Sequence, residues 1–402
     1  MHRVVITGMS LLSPLGNDID QAFDKLKIYE NSFNYSKEFE NHPKVQARLE
    51  SRVSFETPEY LGRKDLRTMD KLAQYAIFTT YNALKDANID RGILSSGDLG
   101  VSFGSGLSSL NEYKNYINED SEKLTTCSFA KILPQTTAAN ISTFFKTKGR
   151  LIPVNASCAT GNLAIGFAYE QIKYGIQDVM IAGSSEEYNY YHYLGLDMLG
   201  TLSLAKINEA CIPFSKNRDG FVFGEGSGTL ILEELEHAKA RGAKIYAEII
   251  GFANNSDGNH FTNPCQESQE NVMKLALKDA NISLNDIDYI NAHATATIAG
   301  DISESNAIKN VFKRDVQISS LKSYTGHTLG ACGAIETILS VKMLQNNWLA
   351  PTINLKEIDN KCAELDYIIN TGRSNEVNII MKNSFGFGGI NGSLILKKYT
   401  GD

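Results

Sequence analysis

Two stretches of this 402-residue chain are built alike: "LIPVNASCATGNLAIGFAYEQIKYG" at 151–175 and "VQISSLKSYTGHTLGACGAIETILSVKML" at 316–344. In each, an apolar strand-like run ends in a turn of small residues that carries a reactive side chain, and a helical pattern follows. A chain that repeats this unit has few architectures open to it. Short β-rich segments, Val4 to Thr7, Leu99 to Phe103, Asp178 to Ala182, Ile287 to Ala292 and Gln317 to Leu321, alternate with apolar residues at three- and four-residue spacing over Met69 to Ala87, Leu163 to Tyr174, Ser268 to Ala280, Asp301 to Val311 and Ala331 to Gln345. That alternation predicts an α/β fold, and the repeated unit predicts two duplicated βα halves with a seam near residue 250.

Composition narrows the functional classes. With 42% hydrophobic and 21% charged residues the chain is an ordinary globular protein, free of low-complexity tracts. A formal net charge of −7 argues against a general nucleic-acid binder and leaves room for a local basic patch. The amino-terminal "MHRVVITGMSLLSPLGND" is interrupted by Gly8, Ser10, Ser13 and Pro14, too early for a signal-peptide core. No run approaches the roughly 20 apolar residues that cross a bilayer, so the expectation is a cytoplasmic protein with no membrane contact. The six cysteines are scattered without CxxC or metal-ligand spacing, which predicts neither disulfides nor a metal site.

Cys158, in "NASCATG", precedes the apolar positions Leu163, Ile165 and Phe167. That places it at the amino end of a helix, where free N–H groups and the dipole favour thiolate over thiol. The other reading of such a cysteine is a small buried hydrophobe. His293 in "NAHATATIAGD" and His327 in "SYTGHTLGACGA" also follow predicted strands, where ligands gather in open α/β sheets. Each alone reads equally well as structural; three strand-to-helix turns bearing a cysteine and two histidines form a Cys-His-His constellation. Lys322 lies five residues before His327, either tuning its charge or sitting on the surface. "NSFGFGGING" sets Phe387 among Gly386, Gly388 and Gly389, either a plain hairpin turn or a loop whose backbone comes close to a ligand.

These stretches, "NASCATG", "NAHATATIAGD", "LKSYTGHTLGACGAIE" and "NSFGFGGINGSLI", with "RDGFVFGEGSGTLILEELEHAKARGAKIYAEIIGF" between them, resemble the elongating β-ketoacyl-acyl-carrier-protein synthases and the related type II polyketide ketosynthases, in collinear order along essentially the whole chain. The resemblance implies a thiolase-like fold, with residues 1–250 and 251–402 as its two halves in a five-layer αβαβα arrangement. It implies Cys158 as acyl-accepting nucleophile, His293 and His327 as the histidine pair, and Lys322 as their supporting lysine. Phe387 matches the gating aromatic whose N–H joins that of Cys158 in an oxyanion hole, and Thr295 and Thr297 match the threonines that hold the phosphopantetheine arm.

The implied reaction is decarboxylative Claisen condensation of an acyl group on Cys158 with malonyl-acyl-carrier protein. The substrates ride on the phosphopantetheine of the carrier protein, with no cofactor bound by the enzyme. A fatty-acid enzyme is the general case, and a specialised type II polyketide or aryl-polyene ketosynthase paired with a chain-length-factor-like partner is the alternative. The implied assembly is accordingly a homodimer or such a heterodimer. Thiolases would carry a second catalytic cysteine near the C-terminus, chain-initiating synthases an asparagine in place of His327, and a non-catalytic scaffold subunit would lack Cys158.

Three features bear on details. Where relatives read "NAHGTST", this chain has Ala294 and Ala296, which questions the loop geometry beside His293. Arg63, Lys64, Arg67 and Lys71, at helical spacing, offer a basic face to an acidic carrier protein, or simply a solvated one. Tyr188, Tyr190, Tyr191 and Tyr193 cluster in "EEYNYYHYLG", either packing a subunit interface or lining an acyl tunnel.

Overall fold

The computed structural model describes residues 1–118 and 124–401. Its eleven-stranded sheet comprises β1 (Val4–Leu12), β2 (Leu99–Gly104), β3 (Leu151–Val154), β4 (Val179–Glu186), β5 (Gly226–Glu234), β6 (Ala247–Ser256), β7 (Tyr289–Asn291), β8 (Gln317–Ser319), β9 (Asp366–Tyr367), β10 (Ile379–Gly386) and β11 (Ile390–Lys397). Seven helices position the site: α1 (Lys71–Asp86), α2 (Thr136–Phe145), α3 (Thr160–Lys173), α4 (Tyr190–Met198), α5 (Gln266–Ala280), α6 (Ile298–Phe312) and α7 (Cys332–Asn346).

The strand order is β9-β8-β7-β10-β11-β6-β1-β5-β4-β2-β3, and it contains one pattern twice. From the middle outward, β1-β5-β4 run antiparallel and β4-β2-β3 parallel; β6-β11-β10 run antiparallel and β10-β7-β8 parallel. The two five-strand arrays join where Val4 to Ile6 pair with Ile249 to Ala247. β9 is an addition at one edge. Residue 250 lies inside β6, so a cut there would split a strand; the turn at 241–246 is the break between the arrays.

Layering follows from burial. All nine residues of β1 and all eight of β4 are buried, the continuous pattern of strands covered on both faces. α1 and α2 cover one outer face and α5, with α6 against it, the other. α3 and α7 contact each other and strands of both arrays, so they form the middle layer, and both are buried almost all the way round. This is the five-layer αβαβα arrangement expected of the thiolase-like fold.

The middle helices meet at their amino ends, and glycine makes that possible. A Cβ on Gly333 would lie 2.4 Å from Asn162 N, and one on Gly161 would lie 2.6 Å from Ala334 N. Backbone therefore touches backbone where α3 and α7 begin, and the turns that precede them, bearing Cys158 and His327, are forced together. No helix among the described residues is long and apolar enough to cross a membrane.

Candidate active site

Cys158 sits on a 3-10 turn, Ser157–Ala159, between β3 and α3. The turn is pinned by Thr160, whose Oγ1 donates to Ser157 O at 2.7 Å and accepts from Ala156 N at 2.9 Å. Ser157 takes a left-handed φ of 50°, a strained geometry for a residue with a side chain, directly before Cys158. The carbonyl of Cys158 accepts from Cys332 Sγ at 3.4 Å, which ties the turn to α7. From the other side comes the glycine loop. A Cβ on Gly386 would lie 2.8 Å from Ala156 O and 3.4 Å from Cys158 N, so only glycine lets the backbone preceding Phe387 approach the Cys158 turn so closely.

His293 leaves the end of β7 and is held through its backbone. Glu304 of α6 accepts from His293 N at 2.9 Å and from Ala294 N at 2.7 Å, while Ser320 Oγ donates to Ala294 O at 2.9 Å. Ala294 keeps an ordinary φ in this mesh, so its methyl leaves the loop geometry intact. Ala296 has a φ of 61°, fixed by its N–H donating to Asp301 at 3.1 Å. His327 is locked by its N–H to Val222 O at 2.8 Å and its carbonyl to Gly224 N at 3.0 Å, with its ring edge-on to Phe221.

The three turns converge. The Cys158 sulfur and a ring nitrogen of each histidine lie within 4.8 Å of one another, and the imidazole centroids are 5.3 Å apart at 80°. His293 Nδ1 and both nitrogens of His327 have no hydrogen-bond partner among the described residues, although both histidines are buried. Such groups need a bound partner to offset their desolvation, and the cavity they line, about 790 Å³, has room for one. Thr295, Thr297 and Phe387 line the same cavity, with the two threonine hydroxyls 3.0 Å apart. Besides His327, the ring of Phe385 packs edge-on against His293, at 6.0 Å, a neighbour that sequence spacing does not single out.

Charge is arranged around the trio. Lys322 is fully buried, its Nζ 2.7 Å from Glu336 Oε1, so the surface reading of this lysine does not hold. Burial, with Lys322 adding to it, holds both imidazoles well below their ordinary pKa, so each is neutral and carries one N–H to donate. Burial pushes the Cys158 thiol up to about 11, against the smaller opposing pulls of Ser157 and Lys322. The thiolate expected from the helix end is therefore not the resting form: the apolar surroundings outweigh the helix terminus. The rate of Cys158 alkylation by iodoacetamide should accordingly keep rising between pH 8 and 10; a plateau below pH 8 would contradict this.

Two sequence expectations fail in part. Arg63, Lys64 and Arg67 are exposed on a turn and a short 3-10 segment, but Lys71 is not on one helical face with them. Asp70 caps α1 by accepting from Ala73 N, so the helix begins at Lys71, whose Nζ is taken by Glu225 at 3.2 Å. Of the four clustered tyrosines, Tyr188 and Tyr193 are buried against Phe223, with Phe39 stacked on Tyr193, and Tyr190 stacks on Phe39. Only Tyr191 lines the cavity.

Residues 1–238 match the family described as beta-ketoacyl synthase, N-terminal domain, and residues 246–356 match beta-ketoacyl synthase, C-terminal domain. The chain is 35% identical to the 3-oxoacyl-[acyl-carrier-protein] synthase 2 of Staphylococcus aureus (strain COL) over 408 residues, 99% of this chain and 98% of that one. A solved beta-ketoacyl synthase from Burkholderia phymatum STM815 shares 41% identity and superposes with a TM-score of 0.95 over 100% of both chains. The ishigamide ketosynthase/chain length factor shares 27% identity at a TM-score of 0.92, over 99% of this chain and 100% of that one.

Proposed function

The chain belongs to the β-ketoacyl synthase family, and from that premise we propose that it condenses an acyl group held on Cys158 with malonyl-acyl-carrier protein, lengthening the acyl chain by two carbons. The observation that carries the assignment of residues is the meeting of one thiol and two neutral, unpartnered imidazoles in one cavity.

In the first half-reaction Cys158 Sγ attacks the carbonyl of the incoming acyl thioester. The thiol proton passes through a neutral imidazole to the departing pantetheine sulfur, so the resting thiol needs no standing charge. The tetrahedral oxyanion is received by the backbone N–H groups of Cys158 and Phe387, which the close approach at Gly386 supports; one such donor is worth about 3 kcal/mol. Malonyl thioester then enters, with Thr295 and Thr297 holding its pantetheine arm. Its terminal C–C bond breaks, carbon dioxide leaves, and the electron pair becomes an enolate. N–H groups of His293 and His327 stabilise the enolate oxygen, and the nucleophilic carbon attacks the acyl carbonyl on Cys158. Collapse of the second tetrahedral intermediate releases the 3-oxoacyl thioester and the Cys158 thiolate, which takes up one proton from solvent to restore the thiol.

The division of labour between the steps gives a test. Replacing His293 or His327 by Ala should slow malonyl thioester decarboxylation by about 10²- to 10³-fold, the loss typical of one electrostatic donor, and slow self-acylation less, since the oxyanion donors remain and the other imidazole can still take the thiol proton. Equal losses in both steps would contradict the assignment.

The named S. aureus relative acts with an acyl carrier protein, and the exposed Arg63, Lys64 and Arg67 give an acidic partner of this kind a basic surface here. A second subunit, a like chain or a chain-length-factor-like one as in the ishigamide ketosynthase/chain length factor, would cover the exposed apolar side chains of Tyr191, Met198 and Leu199 on α4 and just beyond it. A polyketide or aryl-polyene substrate is the second reading, and that likeness supports it.

A further inference from the structure

Beneath the histidine pair lies a fully buried lysine that the mechanism above does not use. Lys382, on β10, is 0% exposed and points its Nζ at Glu336 Oε2, 2.8 Å away, while Lys322 Nζ holds the other oxygen of the same carboxylate at 2.7 Å. The Lys382 ammonium is further ringed by oxygen: Ser384 Oγ at 3.2 Å and the Asn383 carbonyl. Glu304, which clamps the His293 loop, takes an additional contact from Asn383 Nδ2 at 3.5 Å. The site thus holds two ammoniums and two carboxylates, and a buried cluster of this kind is tolerated when its charges balance.

We propose that Lys382 is a positioning residue for the condensation, a fixed cation that balances Glu336 and Glu304 so that the enolate forms in a neutral surrounding. The proposal rests on the condensing function above. Without the Lys382 charge, Lys322, Glu336 and Glu304 sum to −1 next to the imidazoles where negative charge develops. Glu336 would at the same time draw Lys322 away from the pair. β10 runs on from Lys382 through Phe385, which packs on His293, to Gly386, which abuts the Cys158 turn, so the effect is felt at both donors.

The test uses the full-length enzyme, malonyl-pantetheine as probe, and release of carbon dioxide as readout. Lys382→Met, which keeps the stem and removes the charge, is expected to lower kcat for decarboxylation about thirtyfold with KM within twofold. Lys382→Arg should recover most of the loss. In Lys382→Ala, ammonium chloride should restore activity at least fivefold where tetramethylammonium at equal ionic strength does not, because only the small ion fits among Glu336, Ser384 and Asn383. A folded Lys382→Met enzyme with wild-type kcat, or a loss that neither arginine nor ammonium reverses, overturns the proposal. If both neutral variants fail to fold, the Lys382→Met, Glu336→Gln pair, which removes one charge of each sign, must fold and decarboxylate within about tenfold of wild type; its failure is equally fatal. Wild-type enzyme that does not decarboxylate malonyl-pantetheine overturns both this role and the condensing function, whereas normal wild-type turnover with an unchanged Lys382→Met overturns the role of Lys382 alone.

Discussion

Glu336→Gln is expected to cost about 3–5 kcal/mol of folding stability, the penalty for breaking a buried ion pair from one side. The reason is local. Glu336 is 1% exposed and each of its oxygens faces one buried ammonium, at 2.7 and 2.8 Å, so the neutral amide would strip Lys322 and Lys382 of their directly paired carboxylate and leave two adjacent buried cations with Glu304 alone to set against them. The urea midpoint should fall accordingly. Replacing the whole triad at once, Lys322→Met, Glu336→Leu and Lys382→Met, should return most of that stability, because well-packed apolar groups avoid the desolvation cost altogether. The triple variant should nonetheless be inactive, which separates the triad's value for catalysis from its value for folding. A Glu336→Gln midpoint equal to wild type would contradict the description of the triad.

The same triad shows where sequence reading reaches and where it stops. Cys158, His293 and His327 were legible because each follows a strand in a run of small residues, a setting that core packing seldom requires and that ligand access does. Lys322 was legible as a neighbour of His327 but not as a buried cation, since its partner is fourteen residues on, inside α7. Glu336, Glu304 and Lys382 escaped notice for one physical reason. A lone charge in an apolar helix or strand reads as the solvated edge of that element, and here the edges face a middle layer that only the two joined arrays create.

The repeated strand–turn–helix unit did anticipate the topology, because β3 and β8, the strands that lead into Cys158 and Lys322, occupy equivalent places in their arrays. Helical spacing misled at Arg63 to Lys71, where a capping aspartate at 70 starts a new helix and turns Lys71 towards Glu225. The tyrosine cluster misled for a related reason: period alone does not say which of Tyr188, Tyr190, Tyr191 and Tyr193 faces the cavity. Their stacking on Phe39 and Phe223 decides it, and those partners lie far off in sequence.

The thiol at the centre carries the largest catalytic effect. Cys158→Ala removes the only atom on which the acyl group is held, so condensation should fall by at least about 10³-fold, to the residual supplied by binding and the oxyanion donors, while decarboxylation of malonyl thioester persists because His293 and His327 are untouched. Stability should change little, since alanine occupies the turn without strain and the polar contact of Cys158 Sγ with Ser157 Oγ is a long one, at 3.8 Å. Intact-protein mass spectrometry reads the outcome directly. Wild-type enzyme incubated with an acyl thioester should gain one acyl mass, located by digestion on the peptide containing Cys158, and lose it on addition of malonyl thioester as a product two carbons longer appears. Cys158→Ala should gain no acyl mass and form no more than about a thousandth of the wild-type product; an acylated Cys158→Ala enzyme, or wild type that sheds its acyl group by hydrolysis without chain extension, would contradict the account.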